Sequence, residues 1–211
     1  RESADGRLPA AVRGPRTRRG KLGATEIGLA HHLFLEHVAL DQTATESALR
    51  AEAERLRAAG LLATEQMVAL DFAALANFWQ SEIGRRICAE ARNVKRELAF
   101  TARFNLVELG ALLRSGPARS APPAPDEFVV VQGVADLVVR LPEEIWLVDF
   151  KTDAVTPAEL PAKVDHYGPQ LKLYTLALAR IYQRPVTECH LHFLTANKTV
   201  RVEPPTATKP V

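Results

Sequence analysis

One stretch, from Val130 to Asp153, constrains the fold of this chain more than any other: VVQGVADLVVRLPEEIWLVDFKTD. It is apolar enough for buried β-strands, yet it also contains Asp136, Asp149 and Lys151. Because side chains alternate along a strand, Asp149 and Lys151 share one face, and the apolar residues beside them point to the other. The stretch therefore predicts a β-hairpin with one polar face and one core face.

The turn of this hairpin is predicted within Pro142 to Glu144. Either choice of a two-residue turn places Asp136 opposite Asp149 or opposite Lys151, because a slip of two residues preserves the face. Charged groups on largely buried strands cost free energy unless they pair with one another or coordinate a cation. The pattern favours a divalent metal ion beside the two aspartates.

The composition is that of an ordinary globular protein. With 211 residues, of which 47% are hydrophobic and 25% charged, the chain suits one domain with a sizeable core. No apolar stretch approaches the roughly 20 residues that cross a bilayer, so we expect no membrane interaction. Cys88 and Cys189 form no CxxC pair, which argues against a zinc site, an iron–sulfur cluster or a disulfide framework. A reducing cytoplasm is the expected location.

Residues 1–22 are interpreted as a basic linker or arm, since Arg1 to Lys21 contains seven basic residues against Glu2 and Asp5. A solvated linker and a phosphate-binding arm both remain open. The chain begins without an initiator Met or an apolar leader, so we interpret it as a fragment of a longer protein. Residues 206–211 are expected to be a tail.

Helical spacing dominates the first part of the chain. Helices are predicted over residues 25–39, from a capping box at Thr43 to Glu46 as far as Gly60, and over residues 64–90 with a possible break at Gly84. Strands are predicted over residues 94–106 and from about Glu127, separated by an irregular connection at 115–125.

The second part mixes the two patterns. Thr156 to Glu159 predicts a helix start that Pro161 soon limits, and Pro169 is expected to open a longer helix through Tyr182. Strands are predicted over residues 188–196 and 200–202, with a turn at Asn197 and Lys198. This order predicts an α/β (α+β) fold with a mixed central sheet flanked by helices. An N-terminal helical part would cover about residues 23–91 and a sheet-containing catalytic core about 92–205.

Six motifs resemble those of one known family. GVAD (Gly133–Asp136), DFKTD (Asp149–Asp153) and QLKLY (Gln170–Tyr174) are similar to the nuclease domain of the RecB/AddA group in the PD-(D/E)XK superfamily. Upstream, IGLAHH (Ile27–His32) resembles the Gly-x-x-x-His helix of that group, FWQSEIGRRI (Phe78–Ile87) a segment of AddA-type chains, and RELAF (Arg96–Phe100) its first-strand Glu motif. The resemblance spans about residues 23–203 and implies a restriction-endonuclease-like core.

The resemblance also implies a site. Its metal ligands would be His32, Asp136, Asp149 and the backbone carbonyl of Phe150, with Lys151 as the catalytic lysine. Oxygen ligands suit Mg²⁺, and an imidazole nitrogen makes Mn²⁺ a further candidate.

Three more residues complete the expected site. Glu97 would lie near the metal, through water or a second ion. Gln170 and Tyr174 share one helix face and would orient Lys151 or hold a DNA phosphate, and Tyr167 is a possible companion.

Structural interpretations stand beside these assignments. Asp149 and Lys151 would also fit a same-face ion pair, Glu97 a solvent-facing strand residue, and Gln170 and Tyr174 a helix-to-sheet contact. His31 is expected to be structural. The large aromatic residues are expected to be core rather than base-stacking platforms: Phe78, Trp79 and Trp146.

The implied activity is metal-dependent DNA exonuclease action. The chain would be the C-terminal nuclease module of an AddA-like helicase–nuclease that processes double-strand breaks and receives single-stranded DNA from its motor. The implied partners are a helicase domain in the parent chain and a second subunit. The chain contains no GxxxxGK[ST] loop, so no ATP site is expected in it, and two isolated cysteines cannot hold a four-Cys iron–sulfur cluster. An inactive DNA-binding or scaffold module of the same fold and a free-standing phage-type exonuclease remain the alternatives.

Overall fold

A computed structural model describes residues 22–106, 109 and 127–205. Nearly all of the basic arm, the irregular connection at 115–125 and the tail at 206–211 lie outside the described residues. The helical part consists of α1 (Ala24–His37), α2 (Glu46–Ala58), α3 (Thr64–Val68), α4 (Phe72–Gln80) and α5 (Glu82–Ala89). It is followed by β1 (Val94–Asn105), β2 (Phe128–Arg140), β3 (Ile145–Lys151), α6 (Leu160–Tyr182), β4 (Val186–Phe193) and β5 (Lys198–Arg201).

The strands form a mixed sheet in the order β1-β2-β3-β4-β5. Strands β1, β2 and β3 pair antiparallel, β4 pairs parallel to β3, and β5 returns antiparallel. Helix α6 supplies the crossover that a parallel pair requires. The predicted mixed sheet flanked by helices is confirmed, and no helix in the described part of the chain is both long and apolar enough to span a bilayer.

The sheet separates two apolar cores. On one face, helices α1 to α5 pack against Leu137, Trp146, Val148 and Phe150, and on the other, α6 packs against Val138, Ile145 and Leu147. This alternation along β2 and β3 follows from the two-residue period of a strand. Phe78 and Trp79 belong to the first core, as expected.

The β2–β3 hairpin resolves the two registers that the sequence leaves open. The amide of Leu141 donates to the carbonyl of Glu144, so Pro142 and Glu143 are the turn residues. The pairing continues to Leu137 opposite Val148, and the same register extended by one residue brings Asp136 level with Asp149. The paired part of the two strands ends at Leu137 and Val148, and the polar residues lie just beyond its end.

The single helix predicted over residues 64–90 is wrong, because the segment forms α3, α4 and α5. The Asp71 carboxylate accepts from the Ala74 amide and the Ser81 hydroxyl from the Gly84 amide, so both residues cap new helices. Gly84 does not break a helix. A Cβ there would lie 2.2 Å from the carbonyl oxygen of Phe78, so glycine allows α5 to approach α4 closely.

Two smaller predictions are also corrected. Helix α2 begins after Thr45, whose hydroxyl accepts from the Ala48 amide, rather than at a box opened by Thr43. Strand β4 begins at Val186 and β5 at Lys198, each two residues before the predicted start.

Helix α6 is continuous, so the prediction that Pro169 opens a separate helix is wrong. The residues from Thr156 to Glu159 form a turn before it, and Pro161 lies in its first turn, where the missing amide donor costs little. Pro169 lies inside the helix. Apolar residues on both sides of Pro169, including Val164 and Leu171, pack against the sheet, and this packing outweighs one lost backbone hydrogen bond.

Candidate metal centre and active site

Three side chains from three elements converge where β2 leaves β3. His32 of α1, Glu97 of β1 and Asp136 of β2 form what we call the acidic cluster. Nδ1 of His32 lies 3.6 Å from Oε1 of Glu97 and 3.6 Å from Oδ1 of Asp136. The three potential ligand atoms lie within 4.8 Å of one another. Neighbouring ligands of an octahedral Mg²⁺ are about 3 Å apart, given bonds of about 2.1 Å, so small side-chain movements would complete coordination.

Asp136 is oriented by the neighbouring strand. The amide of Phe150 donates to its Oδ2 at 2.7 Å, which leaves Oδ1 directed toward His32. A backbone hydrogen bond to one carboxylate oxygen fixes the direction of the other oxygen. Hydrogen bonds to ligand residues have the same orienting effect at metal sites. The Phe150 ring lies in the core against Phe78, with ring centroids 4.9 Å apart. Metal binding by the carbonyl of Phe150 stays a prediction.

Glu97 reaches the cluster through an unusual backbone conformation. Its φ is 46°, in the left-handed region, between the β-pairs Arg96–Leu137 and Leu98–Ala135. The register places it opposite Asp136. Such a conformation costs about 1–3 kcal/mol for a non-glycine residue and is concentrated at functional sites. Glu97, whose role was predicted least precisely from the sequence, therefore belongs to the acidic cluster.

Two contacts hold α1 so that His32 meets the strands. A Cβ on Gly28 would lie 2.8 Å from Oγ1 of Thr152, so glycine lets the helix approach the end of β3. At the other end of α1, the Arg96 guanidinium donates to the carbonyls of Leu35 and Val38. A cation is favourable at a helix C-terminus, where free carbonyls collect. The Gly-x-x-x-His spacing thus has a packing reason.

His31 has a different role from its neighbour. Its Nδ1 donates to the carbonyl of Ile27, and its Nε2 accepts from the amide of Asp71, which defines a neutral tautomer. Burial lowers the pKa of His31. The residue ties α1 to the start of α4, so the structural interpretation of His31 fits.

Asp149 and Lys151 form a second group beside the cluster, which we call the lysine pair. Nζ of Lys151 lies 2.7 Å from Oδ2 of Asp149, whose residue surface is only 3% exposed. The Lys151 ammonium also lies 4.3 Å from the centre of the Tyr167 ring. The same-face ion pair that the sequence left open as the structural alternative is present. Coordination by Asp149 stays a prediction, since its described partner is Lys151.

The two aspartates perturb each other. Burial raises the pKa of Asp136 to about 7, and the negative charge of Asp149 adds to the increase. Burial also raises the pKa of Asp149, against the opposing effect of Lys151. Like charges held close in a desolvated site disfavour ionisation, and a bound cation removes that cost.

Gln170 and Tyr174 lie further along α6. The Gln170 amide donates to the Tyr174 hydroxyl at 3.1 Å, and the Tyr174 ring meets Phe100 edge-on, with centroids 4.8 Å apart. Gly133 leaves room for both rings, because a Cβ there would lie 2.7 Å from Phe100 and 2.9 Å from Tyr174. In the described part of the chain, Gln170 and Tyr174 contact each other and residues of β1 and β2. A direct catalytic role for them stays a prediction.

Sequence reasoning missed Asp153 as a site residue. The Tyr167 hydroxyl donates to its Oδ2 at 2.5 Å, and its Oδ1 lies 3.6 Å from Nζ of Lys163. The available signal was a third carboxylate two residues after Lys151, followed by an aromatic residue fourteen positions later. The segment between Asp153 and Tyr167 shows no regular repeat, so only the folded structure reveals that the two residues are in contact.

Similarity to known proteins covers most of the chain. Residues 7–209 match the family model of the PD-(D/E)XK nuclease superfamily. The chain is 36% identical over 173 residues to an ATP-dependent helicase/nuclease subunit of Moorella thermoacetica, covering 82% of this chain and 12% of that protein. It is 35% identical over 191 residues to the protein of the same name from Geobacillus kaustophilus, covering 86% of this chain and 14% of that protein. The chain thus spans only a small part of the length of these relatives.

Proposed function

Because the chain belongs to the PD-(D/E)XK nuclease superfamily, we propose that it is a Mg²⁺- or Mn²⁺-dependent deoxyribonuclease module that hydrolyses phosphodiester bonds as an exonuclease. One observation carries the proposal: the acidic cluster, with His32 3.6 Å from both carboxylates, lies at the same strand divergence as the lysine pair. A nuclease needs a cation site and a positively charged side chain at one point, and these two groups supply them.

The acidic cluster would hold the ion. Two carboxylates and an imidazole are a donor set that Mn²⁺ accepts and that Mg²⁺ accepts with additional water. Asp149 and the carbonyl of Phe150 are proposed as further ligands, because Asp149 lies opposite Asp136 in the register. When bound, such an ion would lower the pKa of water and stabilise negative charge that develops on a phosphate.

Lys151 would act on the phosphate itself. Its ammonium is held at the edge of the cluster by Asp149, at 2.7 Å, and is only partly exposed. In this position it would donate to a phosphate oxygen as negative charge develops there, or orient the attacking water. Asp149 would keep the lysine directed into the site. Gln170 and Tyr174 would bind a neighbouring phosphate of the strand or orient Lys151.

The parent protein would supply the rest of the activity. The named relatives are helicase/nuclease subunits of which this chain matches 12% and 14%. We propose that the module works with a helicase domain in the same parent chain and with a second subunit, in double-strand break repair and recombination in the cytoplasm. Single-stranded DNA delivered by the motor would reach a high local concentration at the module. A net charge of +2 would then suffice, because the module need not capture DNA by itself.

Cleavage of end-labelled single-stranded DNA tests the proposal. With Mn²⁺ or Mg²⁺ the protein should degrade the strand, chelation should stop the reaction, and Asp136→Asn should remove it. Asp41→Asn is the matched control, since Asp41 is exposed on the turn after α1. DNA binding without cleavage at saturating Mn²⁺ would support the inactive scaffold module instead. Equal activity in wild type and Asp136→Asn would refute the site.

A further inference from the structure

The Lys151 ammonium lies between two groups of different chemistry. On one side is Oδ2 of Asp149 at 2.7 Å, and on the other is the ring of Tyr167, whose centre is 4.3 Å away. A cation over a tyrosine face is attracted to the ring electrons, most strongly where water is limited. The lysine side chain is 16% exposed, so water is limited here. A flexible four-carbon chain is thereby confined to one position.

Tyr167 is itself fixed in place. Its hydroxyl donates to Oδ2 of Asp153 at 2.5 Å, and this bond raises the pKa of Tyr167 to about 12. The other oxygen of Asp153 lies 3.6 Å from Lys163, and the Asp153 carbonyl accepts from the Thr195 hydroxyl. Asp153 follows Lys151 by two residues, so the ring is bound to the segment that carries the lysine.

Tyr167 also shares a helix face with residues already assigned to the site. Gln170 is three positions after it and Tyr174 seven, so the three form one stripe along α6. The contacts divide the stripe. Tyr167 meets Lys151, whereas Gln170 and Tyr174 meet each other and the β1–β2 ribbon.

We propose that Tyr167 is a positioning residue for Lys151: its ring holds the ammonium at the edge of the acidic cluster, and Asp153 holds the ring. The proposal rests on the proposed nuclease function, because it assigns Lys151 a task at the DNA phosphate. It makes the aromatic face the necessary feature and the hydroxyl a supporting one. Tyr167→Phe keeps the face and Tyr167→Leu removes it.

Steady-state cleavage of single-stranded DNA with Mn²⁺ tests the proposal, together with calorimetric measurement of Mn²⁺ affinity. Tyr167→Leu should lower kcat about 10-fold while KM and the Mn²⁺ affinity change by less than about twofold. Tyr167→Phe should retain kcat within about threefold of wild type. Tyr182→Leu is the matched control, since Tyr182 is on the same helix with its ring centre 4.2 Å from the Arg140 guanidinium.

A measurement independent of activity completes the test. In NMR spectra with labelled lysine, the ε-protons of Lys151 should be shifted upfield by the Tyr167 ring in wild type and in Tyr167→Phe. The shift should be absent in Tyr167→Leu. An active wild type without this shift, or a Tyr167→Leu variant with wild-type kcat, would overturn the positioning role alone. A wild type that cleaves nothing at saturating Mn²⁺ would overturn the nuclease function, and the positioning role with it.

Discussion

The acidic cluster and the lysine pair lie side by side, yet their charges are balanced in different ways. In the cluster, two carboxylates face one imidazole at 3.6 Å. In the lysine pair, the buried carboxylate of Asp149 has an ammonium at 2.7 Å. An ammonium close to a buried carboxylate offsets part of the cost of its burial, whereas two carboxylates that share one imidazole are offset less. The cluster is therefore suited to an added cation, whereas the lysine pair already contains a positive charge.

The same contrast distinguishes two aspartates that the register places opposite each other. Burial and the charge of Asp149 raise the pKa of Asp136 to about 7. Asp149 is as deeply buried, but the charge and hydrogen bond of Lys151 oppose the rise in its pKa. Asp136 thus faces the imidazole of the cluster, whereas Asp149, a proposed further ligand, is also engaged by Lys151.

The largest effects should separate the two groups by metal binding. Asp136→Asn and Lys151→Met should each lower DNA cleavage by about 10³-fold, because each removes charge stabilisation at the phosphate. Only Asp136→Asn should also weaken Mn²⁺ binding, measured by calorimetry. If Lys151→Met loses Mn²⁺ as completely as Asp136→Asn, the two groups are a single unit and the division is wrong.

Stability without metal should fall as pH rises. Because the folded state raises the pKa of Asp136, it binds a proton more tightly than the unfolded chain, and stability decreases as the pH approaches about 7. Between about pH 5 and about pH 8, in chelator, we expect a loss of roughly 2 kcal/mol in urea unfolding that Asp136→Asn does not show. If the stability of wild type and of Asp136→Asn depended on pH in the same way, the raised pKa of Asp136 would not contribute to it. Mn²⁺ should restore the stability at the higher pH.

The adjacent histidines offer a matched pair. His31→Ala should lower the free energy of unfolding by about 1–3 kcal/mol, because it removes a buried imidazole and leaves the Asp71 amide without its acceptor. It should leave Mn²⁺ affinity unchanged. His32→Ala should weaken Mn²⁺ binding about 10- to 100-fold with little change in stability. If His31→Ala weakened Mn²⁺ binding and His32→Ala lowered stability instead, His31 and not His32 would be the metal ligand.

The smallest effect concerns the backbone of Glu97. Glu97→Gly should stabilise the metal-free protein by about 1 kcal/mol, since glycine adopts a φ of 46° without strain. Glu97→Gln keeps the conformation and should gain only what the removed charge beside Asp136 contributes, while both variants should bind Mn²⁺ more weakly. A destabilised Glu97→Gly would indicate that the left-handed conformation is not stored strain.

The two-residue repeat of the strands and the spacing of the motif residues allowed much of this site to be predicted. The two-residue period of β2 and β3 placed Asp136, Asp149 and Lys151 together, and a resemblance over Gly28 to His32 brought the imidazole to them. The spacing of Asp149 and Lys151 suits a metal ligand and an ion pair equally, so sequence alone did not separate the two. The left-handed conformation of Glu97 has no local signal, because glutamate rarely adopts it.

The helices show the same limit. Apolar spacing continues across Asp71 and Ser81, so one long helix was predicted although both capping residues were present in the sequence. A proline usually ends a helix, but contacts with the sheet keep α6 continuous through Pro169. Local rules failed where packing between distant segments decided the outcome.

Anomalous scattering from a crystal soaked in Mn²⁺ would locate the ion relative to the acidic cluster. We expect one strong peak coordinated by Nδ1 of His32, a carboxylate oxygen of Glu97 and Oδ1 of Asp136, with bonds of about 2.2 Å. The peak should vanish in Asp136→Asn. A peak elsewhere on the protein, or no peak between these three side chains at saturating Mn²⁺, would contradict the assignment of the acidic cluster as the metal centre.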